Sequence, residues 1–191
     1  MKIEWLIIAG VMVCSGCTVQ THYKESTTVP HPSSAPLLDK RTKTEYLKRI
    51  NTIRAQARRC GSAGYFPAAP ALSWSDALYR AAYEHSHDMK QNGLFSHRGS
   101  HTVSDRTAVV QHLAQGSSFK ERIENNGYTA WKRIGENIAA GSFGADEVLE
   151  RWIRSDRHCA NIMNPVFTHV GMARVGKNNG SFWTQTFAAH Q

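Results

Sequence analysis

An α+β domain is the fold class predicted for this 191-residue chain. Apolar residues recur at helical spacing through its first half and middle. Near its end two strand-like runs flank an Asn-Gly turn, the signature of an antiparallel hairpin. No strand–helix–strand rhythm is present, so the helices must layer against antiparallel strands. No internal repeat is found.

Lys2 opens the chain and Trp5 to Val13 is an apolar run. The run is too short to span a bilayer but suits a signal-peptide core. Cys14-Ser15-Gly16-Cys17 follows. Small residues before a cysteine resemble a lipobox, although Cys14 stands where Leu or Val is usual. Residues 1–16 are therefore expected to be a signal peptide and Cys17 the lipidated first residue of the mature chain. Ordinary cleavage with release is the alternative. Thr18 is not the Asp that retains many lipoproteins in the inner membrane. The expected location is the cell envelope: the outer membrane and periplasm of a Gram-negative source, otherwise the extracellular face of the membrane.

Residues 17–43 read as the lipidated cysteine and a flexible tether, rich in Thr, Ser and charge, with Pro30, Pro32 and Pro36. The folded domain is expected over 44–191. Thr42-Lys43-Thr44-Glu45 reads as a capping box for a first helix, with Leu47, Ile50, Ile53 and Ala57 on one face. A loop with Gly61, Gly64, Pro67 and Pro70 follows. Ser73-Trp74-Ser75-Asp76 starts a second helix, striped by Leu78, Ala81, Ala82, His85 and Met89 and ended by Asn92-Gly93. Residues 99–115 lack a period and read as a surface insertion. Ser118 with Glu121 caps a short helix that stops at Gly127. Val148, Leu149, Trp152 and Ile153 mark a fourth helix. Thr168 to Val175 and Phe182 to Phe187 are the hairpin strands, with Asn178-Asn179-Gly180 between them.

Composition limits the function classes. A chain with 41% hydrophobic residues and five Trp is not disordered overall. The net charge of +8 would attract anionic lipid, lipopolysaccharide or cell-wall polymer, or simply be a solvated basic surface. No basic cluster is interleaved with aromatics, so nucleic acid is not an expected partner. A monomeric domain is expected. Once Cys14 leaves with the signal and Cys17 carries lipid, Cys60 and Cys159 remain. An even pair in an oxidising compartment suggests a disulfide. Closing so long a loop would stabilise by roughly 4–5 kcal/mol on the chain-entropy account. Free or metal-bound thiols are the alternative.

Three phrases carry candidate chemistry: Phe95-Ser96-His97, Gly135-Glu136-Asn137-Ile138-Ala139-Ala140-Gly141 and Phe167-Thr168-His169-Val170-Gly171. Two imidazoles and a carboxylate, if the fold gathers them, make a metal site or an acid/base site. Taken singly, each residue reads first as a hydrogen-bonded structural group. His169 shares a strand face with Gly171 and Ala173, which leaves room over the sheet. Glu136 is placed at a strand edge. His158 follows the last helix beside Cys159; it faces the same cavity or caps the helix C-terminus as a cation. His85 reads as a core histidine, and His87, His101 and His112 as surface. There is no His-Glu-x-x-His, no Gly-x-Ser-x-Gly and no phosphate-cradling loop, so no catalytic residue is assigned.

These phrases fall in one order with the run Ala81 to Met89, Trp152 with Ser155 and His158, Asn161 to Asn164, and Trp183-Thr184-Gln185. From about residue 45 to 188 the chain resembles the CAP superfamily, the SCP-like extracellular domain, in its bacterial form. The resemblance implies a three-layer α-β-α sandwich with a central antiparallel sheet and a large open cavity. It implies two His and two acidic residues able to hold a divalent cation such as zinc. Matched motif by motif, these positions are His97, Glu136 and His169, while the second glutamate falls on Ser155. His158 could take the fourth side, a donor set sensible for zinc. Cys60 and Cys159 resemble a bacterial subgroup with a bridge there. The 99–115 stretch is longer than the usual loop and is placed over the cavity mouth. The functional expectation is an exported, lipid-anchored binding or interaction module, with a His/Glu cavity for a cation and a lipid or cell-envelope ligand. The alternative is a metal-dependent hydrolase acting on peptide or cell-wall substrates.

Overall fold

The structure, a computed structural model, describes residues 35–177 and 180–190. The expected signal peptide, Cys17 and most of the tether lie outside the described residues, as do turn residues Asn178 and Asn179.

The first helix, α1, spans Lys40–Arg54. Its cap is Asp39 rather than Thr42. The Asp39 carboxylate accepts the Thr42 amide at 2.9 Å and the Thr42 hydroxyl at 2.7 Å. With its hydroxyl donating backwards, Thr42 is an N-terminal helix residue and not the cap. The helix thus begins inside the stretch read as tether. It ends at Arg54, so Ala57 lies beyond the helical face it was placed on.

Strands β1, Arg58–Arg59, and β2, Tyr65–Phe66, make a small antiparallel hairpin around a 3-10 turn at Gly61–Ala63. Cys60 in this hairpin is bonded to Cys159, with Cα atoms 5.5 Å apart. The expected disulfide is present. Asp156 reinforces it by accepting the Ser62 amide at 2.8 Å and the Ser62 hydroxyl.

Strand β3, Ser73–Trp74, leads into α2, Asp76–Asn92. Ser75 caps α2, and Gly93 closes it at φ 60, a left-handed conformation that glycine adopts at little cost. The remaining elements are α3, Arg106–Val110; α4, Phe119–Asn125; β4, Trp131–Ala140; α5, Ala145–Ile153; α6, Asp156–Met163; β5, His169–Val175; and β6, Phe182–His190. Ser118 and Glu121 form the expected capping box on α4. Helix α6 was not foreseen. His158 therefore stands in its first turn and does not cap the end of the preceding helix.

The main sheet runs β3-β5-β6-β4. β5–β6 and β6–β4 are antiparallel, but β3 lies parallel to β5, so the central sheet is mixed rather than purely antiparallel. The parallel pair arises because the chain crosses the sheet through α2 after β3; amides of Ser73 and Ser75 donate to the Thr168 and Val170 carbonyls.

Strand alternation divides the side chains between two helical layers. On one face, Val170, Met172, Trp183 and Phe187 pack with Ile50 of α1, Val148, Leu149 and Trp152 of α5, and Ile162 of α6. On the other, Ala188 and Ala173 meet α2 through Leu78, Tyr79, Ala81 and Ala82, with Ile123 of α4 behind. The result is the three-layer α-β-α sandwich. A Cβ added at Gly171 would run into the Tyr79 amide nitrogen and the Leu78 carbonyl carbon. The small residues on this face therefore make room for the α2 backbone, not for a ligand.

Two polar devices hold the layers. Arg54, fully buried, donates to the carbonyls of Pro70, Ile162, Asn164 and Phe167. On the other side, carboxylates fasten the 99–115 segment. Asp88 accepts from Ser100 and Ser104, and Glu84 accepts the Thr107 amide at 2.7 Å. Asp105, itself buried, accepts from Ser117 and His101. The segment is thus an anchored loop and short helix, not a loose insertion. No helix among the described residues is long and apolar enough to cross a membrane.

Candidate functional site

Glu136 sits in the middle of β4, one of the two edge strands of the sheet, opposite Thr186. Alternation turns its side chain toward the α2 layer, where 1% of it is exposed. His97 arrives from the loop after α2 and Arg122 from α4. Phe119, Arg122, Ile123 and Asn126 share one helical face, so the packing that buries Ile123 also buries Arg122.

The His97 Nδ1 is 2.9 Å from Glu136 Oε1. Arg122 Nη2 lies 3.0 Å from Oε2 and 3.3 Å from Oε1. His85 Nε2 stands 3.8 Å from Oε1 and 2.8 Å from the Ser96 carbonyl. Burial alone would raise the Glu136 carboxyl, but Arg122, then His85 and His97, outweigh it and hold the group down at about 2. Glu136 is therefore an ionised acceptor, and His97 must donate its Nδ1 proton to it. This fixes which ring nitrogen faces Glu136 and turns Nε2 away from it. Burial, reinforced by Arg122, drives the His85 imidazole down to about 4. His85 is neutral near pH 7 and donates to Ser96, so Arg122 is the lasting counter-charge of Glu136.

Of the four residues read as a cavity set, His97 and Glu136 are joined directly. His158, half-buried on α6, is lowered in pKa by burial and then by the charge of His97. His169 keeps other company. Its Nδ1 lies 3.1 Å from the Tyr128 hydroxyl and 2.9 Å from that of Thr168, and its ring meets His190 edge-on at 5.4 Å. β6 lies between its strand and that of Glu136. Ser155, where the second acid was expected, begins α6.

As placed, this donor set does not fit a divalent cation. Both Glu136 oxygens already face a buried guanidinium, which neutralises the carboxylate and would repel a metal ion. Among the described residues, no group of three or more His, Cys, Asp or Glu side chains is arranged to hold one. The reading from sequence missed Arg122 because Lys120-Glu121-Arg122 looks like a solvated helix. Its one signal was the spacing that puts it on the face of Phe119 and Ile123.

A groove lies elsewhere on the molecule. About 660 Å³ in volume, it runs between α1 and α5, lined by Ile53, Leu149 and Ile153 and by charges of both signs, Lys48, Arg49, Arg58 and Arg154 with Glu45, Asp146 and Glu150. It belongs to the opposite layer from the His97–Glu136 centre. The groove offers volume for a ligand; the centre offers proton chemistry.

Residues 47–187 match the family model described as the Cysteine-rich secretory protein family, CAP. The chain is 31% identical over 167 residues to the Bacillus subtilis (strain 168) protein YkwD, covering 87% of this chain and 53% of that one. It thus spans about half the length of that curated relative. An extracellular protein containing an SCP domain from Bacillus anthracis str. Ames is similar at TM-score 0.55 and 26% identity, covering 82% of this chain and 45% of that one. An outer surface protein from Borrelia burgdorferi shares the fold at TM-score 0.55 and 18% identity, covering 81% of this chain and 97% of that one.

Proposed function

The chain belongs to the cysteine-rich secretory protein (CAP) family, and on that premise we propose that it is an exported binding module held at the cell envelope by lipid on Cys17. Its ligand is an amphiphile, an acyl chain with a polar head, taken up in the groove between α1 and α5. The observation that carries this reading is the groove itself: about 660 Å³, with Ile53, Leu149 and Ile153 in its lining, charges of both signs around them, and Lys48 and Arg58 left over once Arg49 pairs with Asp146 and Arg154 with Glu150. Ligand pockets of this size are commonly apolar with a few polar groups at fixed places. The similar proteins described as extracellular or outer-surface support an envelope location. The net charge of +8 suits an anionic head or an anionic envelope polymer. Metal-dependent hydrolysis is set aside, because the carboxylate that would hold the metal is already neutralised by Arg122.

Titration of the purified protein with a fluorescent fatty acid tests the ligand. Saturable binding is expected, and Ile153→Arg should abolish it while leaving the fold intact by circular dichroism. Wild-type protein that binds no acyl chain, or an Ile153→Arg variant that binds as well, would sink the reading. Fractionation tests the anchor: Cys17→Ser should move the protein from the membrane to the soluble fraction.

A further inference from the structure

We propose that Arg122 takes the electrostatic place of a divalent cation in this domain, so that the His97–Glu136 centre is metal-independent. The guanidinium is held from several sides at once. Nη2 contacts both oxygens of Glu136 and the His97 carbonyl at 2.9 Å; Nη1 donates to the Ser117 carbonyl at 2.7 Å and to its hydroxyl at 3.1 Å. Only 2% of the Arg122 side chain and 1% of the Glu136 side chain are exposed. Arg122 therefore cannot swing into solvent to vacate the carboxylate.

Charge decides the rest. Arg122 and Glu136 sum to zero. A zinc ion bound to Glu136 at about 2 Å would sit within a few ångströms of the guanidinium and leave a buried excess of two positive charges. An uncompensated buried charge is costly, and nothing in the described centre supplies a second anion. Where the family resemblance would put a second acid, the chain has Ser155. Arg122 also does what a metal could not. Through the His97 carbonyl it fixes the backbone, and through Glu136 it fixes the ring. Ser117, which helps hold the guanidinium, is itself held by Asp105 from the 99–115 segment. Arg122 is in this sense a positioning residue for His97, tied to the anchored loop.

The test is a zinc titration of the purified full chain, followed through the His97 ring resonances and by thermal unfolding. In wild-type protein, equimolar Zn²⁺ should leave the His97 resonances unshifted and the unfolding midpoint unchanged. In Arg122→Gln the exposed need for a counter-charge should create a zinc site: Zn²⁺ should raise the midpoint and shift His97, and His97→Ala in that background should remove both effects. Zinc binding by wild-type protein that His97→Ala abolishes would overturn the proposal. So would a folded Arg122→Gln protein that gains no zinc response. Should Arg122→Gln fail to fold, the wild-type titration decides alone: shifted His97 resonances overturn the proposal and unshifted ones sustain it.

Discussion

Glu136 and His85 make the domain sensitive to acid, each with its own window. His85 is held near 4 in the fold against an ordinary 6.5. The unfolded chain takes up that proton first, so stability falls as pH drops from about 6.5 to about 4. Glu136 is held near 2 against 4.5. Its contribution is fully present above 4.5 and is lost as pH falls toward 2. The unfolding free energy from urea titrations should therefore decline continuously from neutral pH into the acid range, by on the order of 3 kcal/mol for the His85 step. A profile flat between pH 6.5 and 4 would contradict the burial of a neutral His85. At this scale the sequence disclosed the titrating groups but not their partners. His97 and Glu136 stood out because each sits among small or apolar residues. Arg122, Glu84 and Asp88 did not, because a charged residue on a helix reads as solvated unless its buried partners are known: Glu136 for Arg122, amide and hydroxyl donors for Glu84 and Asp88. Those partners come from other elements of the chain, and sequence distance hides them.

Elements were legible where local chemistry decides and obscure where tertiary contact does. The α2 boundaries and the α4 capping box were readable because Ser75, Gly93, Ser118 and Glu121 act on their own neighbours. β3 was hidden, being two residues long and parallel to a strand nearly a hundred residues away. Helix α6 was hidden because only Arg154 and Ser155 separate it from α5, so one apolar stripe seemed to end the helical region. The face of His169, Gly171 and Ala173 was seen correctly as small, but what fills it is α2. This gives a sharp test. A methyl at Gly171 would meet α2 main chain rather than a movable side chain. Gly171→Ala should cost about 3 kcal/mol or more, measured by urea unfolding, because overpacking against backbone has no cheap relief. A cost below about 1 kcal/mol would mean that α2 lifts freely from the sheet.

For the whole molecule, the layered class followed from helices early and a hairpin late, and the mixed sheet was the part that pattern could not reach. The Cys60–Cys159 bridge closes a separation of 99 residues. Replacing both cysteines by Ala should lower stability by up to about 4–5 kcal/mol on the chain-entropy account. Equal urea midpoints for the variant and the wild type would show that the denatured chain gains nothing from the loop. The two helical layers are fastened by different chemistry. The α1–α6 side carries the disulfide and the Arg54 carbonyl clamp; the α2–α4 side carries Glu84, Asp88, Asp105 and Glu136 with their donors. Reductant should therefore loosen the α1–α6 side first, whereas acid should act most strongly on the α2–α4 side, where the lowered carboxyls of Asp105 and Glu136 are buried, and less at the exposed Asp156–Ser62 contact. Amide hydrogen exchange should accelerate first around residues 58–66 and 156–163 under reduction, and first around 97–126 at low pH. A domain built this way meets loss of oxidant and loss of neutrality at different elements, so neither insult by itself dismantles both layers.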